Sequence, residues 1–338
     1  MNFYTYARHY GDKILVRGVK NGERFTSRHD FRPTLFVKSD KPSEYKSIFG
    51  ESVSPIQFES NKEATDFFSR YKDVANFPVF GQNYYAYQYI TEKYPGKIEW
   101  DAKKMAIYSI DIETTSEGGF PNVDSPSEQV LVITLQNNNT KKITTFGLGE
   151  FAPSAETAEY DIDYHACSDE YGLLKTFLEW WEDNTPDVIT GWNSNLFDIP
   201  YLLARTEKIL GDNEHKRYSP FGFVQKRNVK FMGQEKTAFE IVGVAQLDYL
   251  DLYKKFTYVT RESYKLDFIA ETELGKNKLE SGFETFKEHY EKDWNGFVEY
   301  NIIDTVLVDE LEDKMKLIEL AITMAYDAKC NFNDVYSA

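Results

Sequence analysis

Two carboxylates stand two residues apart in Tyr108-Ser109-Ile110-Asp111-Ile112-Glu113-Thr114. The apolar residues Met105-Ala106-Ile107 lead into this run, and the alternation predicts a strand over 104–113. Residues two apart on a strand share a face, so Asp111 and Glu113 point one way and Ile110 and Ile112 the other. Carboxylates held side by side raise each other's pKa unless a cation lies between them. A donor set made only of oxygens suits Mg²⁺ or Mn²⁺. For this stretch alone, an acidic strand edge in solvent is the plainer reading.

Two later stretches put acids at element ends. A short apolar strand over 187–192 leads into Asn193-Ser194-Asn195-Leu196-Phe197-Asp198-Ile199-Pro200-Tyr201. Asp198 falls in the first turn of a helix expected over 197–210 and closed by Gly211. It is either a ligand or an ordinary helix-start acid, which contributes ~0.5–1 kcal/mol. The third stretch is Tyr300-Asn301-Ile302-Ile303-Asp304. Residues four apart share a helix face, so the Tyr300 phenol and the Asp304 carboxylate are neighbours there. Alone, that is an exposed pair. Together the three stretches supply four carboxylates and a phenol on elements that can converge at one end of a sheet. Two-metal phosphodiester hydrolysis needs these parts: two divalent ions about 3.5–4 Å apart stabilise the attacking and leaving oxygens. Asp111 is the candidate for the anion shared by both ions, and Tyr300 for the group that orients water.

The elements that must position these residues follow from the pattern around them. Residues 101–317 read as strands over 104–113, 129–135 and 141–148, and an edge strand over 161–167. A helix capped by Ser168 follows, with Asp169 and Glu170 in its first turn. Then come the 187–192 strand, the 197–210 helix, a strand over 239–249, and helices over 264–274 and 294–328. This order predicts an α/β domain: a mixed sheet with helices on its faces. No G-x-G-x-x-G follows the first strand and no G-x-x-x-x-G-K-S/T occurs, which excludes the dinucleotide-binding and P-loop classes.

Residues 1–100 read as a smaller mixed α+β domain. A meander is punctuated by Gly11-Asp12, Asn21-Gly22 and Arg32-Pro33, and a strand is expected over 54–59. Ser60-Asn61-Lys62-Glu63 is a capping box opening a helix to about Val74, and a Tyr-rich helix over 83–94 stops at Pro95-Gly96. No group of chemical side chains gathers there.

Composition narrows the function classes. A formal net charge of −16 argues against a high-affinity DNA binder working through Lys and Arg, but not against a nuclease acting through metal ions. The 49 Tyr and Phe (24 and 25) serve packing first and base stacking second. Two cysteines, Cys167 and Cys330, make neither a disulfide framework nor a thiolate zinc site. With a mean hydropathy of −0.54, no long apolar run and no signal peptide, a cytoplasmic setting and no membrane partner are expected.

The three motifs resemble those of the DEDDy 3′–5′ exonucleases. The longer runs Gly191-Trp192-Asn193, Phe197-Asp198-Ile199-Pro200-Tyr201, Leu247-Asp248-Tyr249-Leu250-Asp251-Leu252-Tyr253-Lys254-Lys255-Phe256 and Tyr300-Asn301-Ile302-Ile303-Asp304 resemble the proofreading region of T-even-type phage DNA polymerases of family B. The resemblance runs through the whole chain. It implies a ribonuclease-H-like fold for 101–317, the family's N-terminal domain over 1–100, and a return to that domain over 318–338.

By motif, the resemblance also assigns roles. Asp111, Glu113 and Asp304 would hold one metal, Asp111 and Asp198 a second, and Tyr300 would orient the nucleophilic water. The 3′-terminal phosphodiester of single-stranded DNA would be cut, releasing a deoxynucleoside monophosphate. Thr114, Phe120, Asn193, Phe197, Lys230 and Lys254 are the expected DNA contacts. Phe120 would stack on bases at a frayed primer end, and a hairpin turning at Gly233-Gln234 would help part primer from template. Implied partners are the palm, fingers and thumb of a polymerase and, through the longer protein, a sliding clamp and its own messenger RNA. The implied location is the cytoplasm of an infected bacterial host.

Neither Asp-x-x-Ser-Leu-Tyr-Pro nor Tyr-Gly-Asp-Thr-Asp occurs in the sequence. The expectation is therefore a chain that does not polymerise, either the front portion of a polymerase or the first half of a split one. Two other readings stand beside the proofreading nuclease: a non-catalytic module binding messenger RNA or template, and a free-standing repair exonuclease.

Overall fold

The computed structural model describes residues 1–119, 121–231, 234–276 and 282–335, with side chains at 229–236 not described. The chain divides into two compact units, Met1–Trp100 with Ala325–Asn331, and Asp101–Met324 with the stretch from Phe332 onward.

In the first unit, β1 (Asn2–Tyr10), β2 (Lys13–Lys20) and β3 (Glu23–Asp30) form an antiparallel meander. Asn21 and Gly22, at φ of 56° and 87°, make the left-handed turn that matches strand twist between β2 and β3. A second sheet, ordered β5-β4-β6, contains β4 (Thr34–Lys38), β5 (Val53–Gln57) and β6 (Val79–Phe80). Helix α1 (Asn61–Tyr71) starts where Ser60 Oγ accepts the Glu63 N–H at 3.1 Å, and it ends short of Val74. Helix α2 covers Tyr85–Lys93. The 325–331 segment is stitched to β1: the Asn331 side chain pairs with both backbone groups of Ala7 (2.8 and 2.9 Å), and Tyr326 Oη donates to the Tyr4 carbonyl at 2.6 Å.

The second unit is mixed α/β around a six-stranded sheet ordered β10-β9-β8-β7-β11-β14. Strands β7 (Ile107–Thr114), β8 (Val130–Asn137) and β9 (Ile143–Gly147) run antiparallel in turn. Strand β10 (Ile162–Ala166) lies parallel to β9 at one edge. After helix α3 (Glu170–Asn184), β11 (Val188–Thr190) adds parallel to β7. Helix α4 (Asp198–Leu210) and the hairpin of β12 (Val224–Phe231) and β13 (Gln234–Ile241) precede the two-residue β14 (Ala245–Gln246). Helices α5 (Tyr249–Phe256), α6 (Leu266–Leu274), α7 (Phe286–Lys292), α8 (Trp294–Met315) and α9 (Leu317–Ala328) follow, the last passing into the first unit at Ala325.

Pleating decides what each face carries. Ile110 and Ile112 on β7, paired with Leu135 and Ile133 on β8, join Leu174, Phe177, Trp181, Leu202 and Leu203 of α3 and α4 in one core. On the opposite face Val132, the partner of Glu113, packs with Phe297, Val298, Ile302 and Val306 of α8. Helix α8 therefore covers the face that carries Asp111 and Glu113.

Three expectations need correction. The cap of α3 is Asp169, whose carboxylate accepts the Gly172 N–H at 2.7 Å, and Ser168 lies outside the helix. No single strand spans 239–249. β13 stops at Ile241, the chain turns at Gly243 (φ 101°), and α5 begins at Tyr249, so Lys254 and Lys255 fall in the last turn of a helix. The expected 294–328 helix is two helices, broken at Lys316, which takes a left-handed φ of 57°. Gly233 of the expected hairpin turn lies outside the described residues, although the β12–β13 pairing on both sides of it is present.

Candidate metal centre

Strand β7 delivers two acids to the face under α8, and α8 supplies a third. One carboxylate oxygen from each of Asp111, Glu113 and Asp304 lies within 4.8 Å of the others. Asp111 and Glu113 are half-buried and Asp304 is buried. Ligand oxygens about 2.1 Å from one hard cation lie at most about 4.2 Å apart, so small rotations bring this trio to bonding distance. The donor set fits a hard divalent ion, and among the described residues these are the only three or more acids, cysteines or histidines gathered this closely.

Asp198 reaches the same strand through that strand's backbone. It is buried, and its Oδ1 accepts the Ile112 N–H at 3.1 Å, between the two strand acids. Strand β11 pairs with β7 only as far as Thr190 opposite Ser109, so the backbone beyond has no strand neighbour on that side. Gly191 allows the close approach: a Cβ there would lie 2.6 Å from the Ile110 carbonyl oxygen. Asp198 is thus the first residue of α4 without capping it, since the cap position, Phe197, forms no side-chain bond. Burial pushes the Asp198 carboxyl up to about 7, against the Ile112 N–H, and the charges of Asp248 and Asp304 add to the rise. An extra cation nearby would reverse that balance.

Two residues outside the predicted set hold the acids and their loop. Asn301, fully buried on α8, donates from Nδ2 to Asp111 Oδ2 at 2.6 Å. Asp248 accepts the N–H groups of Asn193 (3.1 Å), Asn195 (2.9 Å) and Leu250 (3.0 Å), tying the loop after β11 to the start of α5. Burial and the Asp251 charge raise its carboxyl to about 7 despite those three donors. The sequence carried a signal for each: a polar residue inside a buried stripe, Phe297, Val298, Asn301, Ile302, Thr305, and an Asp between the buried Leu247 and Tyr249.

The remaining predicted residues are placed as follows. Tyr300 lies on α8 one turn before Asp304, half-buried, its ring edge-on to His289 and Phe286 at 6.0 and 6.1 Å. Thr114 is buried, its hydroxyl donating to the Thr115 carbonyl at 2.9 Å. Asn193 is half-buried in a left-handed conformation with φ 66°. Phe197 packs on Tyr201 with ring centroids 5.6 Å apart. Lys254 is exposed, its ammonium 5.1 Å from the Tyr264 ring centroid. Phe120 and the Lys230 side chain lie outside the described residues.

The sequence family described as DNA polymerase family B, exonuclease domain, matches residues 23–269. The chain belongs to that family. It is 30% identical to the DNA-directed DNA polymerase of Enterobacteria phage T4, over 99% of its own length and 39% of that protein's. With the DNA-directed DNA polymerase of Escherichia phage RB69 it shares 29% identity over 99% of its length and 40% of that protein's. DNA polymerase II of Escherichia coli K12 is 26% identical over 64% of the chain. The chain spans about two fifths of the length of the two phage polymerases. Among the described residues, no helix is long and apolar enough to cross a membrane.

Proposed function

We propose that the chain is a 3′–5′ exodeoxyribonuclease that proofreads for a phage replicative DNA polymerase. The observation that carries this reading is the gathering of Asp111, Glu113 and Asp304 within 4.8 Å in a chain of the family B exonuclease group. In this reading the second unit has the ribonuclease-H-like DEDDy fold, supported by its mixed sheet with acids on the central strand β7. Asp111, Glu113 and Asp304 hold one divalent ion, Mg²⁺ or Mn²⁺, and Asp111 with Asp198 holds a second. Such ions supply charge stabilisation of the attacking and leaving oxygens. The Tyr300 phenol accepts a hydrogen bond from the attacking water and so orients it. Asp198, tied to the Ile112 N–H, keeps its carboxyl at the strand end, and Asn193, Phe197, Thr114, Phe120, Lys230 and Lys254 are the proposed contacts to the strand to be shortened. The bond cut is the 3′-terminal phosphodiester of a single strand or frayed primer, and the product is a deoxynucleoside monophosphate.

The same reading gives residues 1–100 and 318–338 to the family's N-terminal domain and 101–317 to the nuclease. The Asn331–Ala7 and Tyr326–Tyr4 bonds support the return of the 318–338 segment, although the first unit takes only Ala325–Asn331 of it. Palm, fingers and thumb domains, a sliding clamp, a messenger RNA and the cytoplasm of an infected host enter this reading through the phage relatives. The test is degradation of a 5′-labelled single-stranded oligonucleotide with Mg²⁺ and with EDTA. The reading expects a metal-dependent ladder that shortens from the 3′ end; a folded protein that leaves the oligonucleotide intact in Mg²⁺ would overturn it.

A further inference from the structure

We propose that Asn301 is a positioning residue that sets the orientation of the Asp111 carboxylate and thereby the affinity of the site for divalent cations. This inference rests on the metal-dependent reading above.

The geometry is specific. Asp111 sits on β7 and Asn301 on α8, and the two meet through one bond, Nδ2 to Oδ2 at 2.6 Å, across 190 residues of sequence. Asn301 is fully buried, so it does not touch a substrate. Its Oδ1 has no hydrogen-bond partner among the described residues. A buried amide that leaves its own acceptor unmatched is poorly explained as packing, because an apolar residue of similar volume would fill the place without an orphaned group. What the amide supplies is a donor held on one carboxylate oxygen of Asp111. The carboxylate torsion of an aspartate is broad and roughly two-fold, so a donor fixed on one oxygen decides which way the plane faces. With Oδ2 engaged by α8, the Asp111 carboxylate is oriented before any cation arrives.

The residue type also fits the task. Asp111, Glu113 and Asp304 gather at the strand end, and Asp198 of α4 binds the same strand at the Ile112 N–H. A Lys or Arg in place of Asn301 would orient Asp111 but would compete with the cation for it. The neutral amide orients without adding charge. Partners that orient metal ligands typically contribute 10- to 100-fold in metal affinity.

The experiment measures Mn²⁺ binding by titration calorimetry, without DNA, on the full chain. It compares wild type, Asn301→Leu, Asn301→Ala, Asp111→Asn and the double variant Asp111→Asn/Asn301→Leu, with thermal unfolding of each in EDTA. The expected result is a loss of roughly 10- to 100-fold in Mn²⁺ affinity for Asn301→Leu, with its unfolding in EDTA close to wild type. In the Asp111→Asn background the same substitution should change affinity by less than about two-fold, because its route to the metal is gone. Affinity of Asn301→Leu within about two-fold of wild type would overturn the inference and leave the metal site standing. An equal loss in both backgrounds would also overturn it, as would failure of both single Asn301 variants to fold. Wild type that binds no Mn²⁺ would overturn the metal-dependent reading together with the inference.

Discussion

Asp111 and Glu113 act as a pair because strand pleating leaves them no other arrangement: each buried isoleucine between and before them fixes the opposite face. Replacing both with Ala is expected to lower the hydrolysis rate by about 10⁴-fold, equivalent to ~5.5 kcal/mol, with the fold retained. Single-turnover rates on a single-stranded oligonucleotide check this, and more than about a tenth of wild-type activity would refute the assignment. Tyr300→Phe should lose clearly less, since it removes one phenol and leaves every carboxylate in place. The acids were legible in the sequence because alternation and helical spacing are local patterns. For the supports of those acids the residue type was legible and the partner was not. Asn301 lies beside Tyr300 in the chain, yet its partner is 190 residues away, and no local pattern reports which strand a buried amide will meet. Asp248 is hidden for the same reason, its bonds to Asn193 and Asn195 spanning 55 and 53 residues.

At the scale of elements, two buried acids hold segments together. Glu170 opens α3 and forms a bidentate pair with Arg205 of α4, both contacts at 2.6 Å, while it also accepts the Val130 N–H at 2.8 Å. Arg205 reaches on to the carbonyls of Pro126 and Ser127, at the base of the loop between β7 and β8. Glu170→Ala is expected to cost about 3–5 kcal/mol, because it strands a buried guanidinium, and urea unfolding measures it. A change under about 1 kcal/mol would show that solvent reaches Arg205.

Glu312 spans the break between α8 and α9, accepting the N–H groups of Ile318 and Glu319 at 3.0 and 3.3 Å. Burial raises its carboxyl from about 4.5 to about 7 against those donors. A folded-state value above the unfolded one means that its contribution is fully present below about pH 4.5 and is lost as pH rises through about 7. Thermal unfolding in EDTA should therefore show wild type losing more stability between pH 5 and pH 8 than Glu312→Gln does; parallel profiles would contradict the linkage. Elements were less legible than acids where apolar runs were ambiguous. Residues 239–249 read as one strand, but the left-handed turn at Gly243 divides them between the end of a hairpin, a two-residue strand and the start of a helix. The break at Lys316 was equally hidden, since a lysine in the left-handed region leaves no composition signal.

For the whole molecule, the dominant quantity is a formal net charge of −16. Sequence-independent affinity for nucleic acid comes from cations that neutralise phosphates, and this chain has 39 Lys and Arg against 55 Asp and Glu. In EDTA at physiological salt, a labelled single-stranded oligonucleotide should bind no tighter than roughly 10⁻⁵ M, within the range of non-specific contacts. Fluorescence anisotropy measures this, and submicromolar binding in EDTA would mean that a basic surface, rather than bound divalent ions, captures the strand.

The central claim is that the end of β7 holds two divalent ions between four named carboxylates. Anomalous diffraction from crystals soaked in Mn²⁺ and a deoxynucleoside monophosphate tests it most directly. The account predicts two manganese peaks about 3.5–4 Å apart, one bounded by Asp111, Glu113 and Asp304 and the other by Asp111 and Asp198. Peaks elsewhere, or none on Asp111, would contradict it.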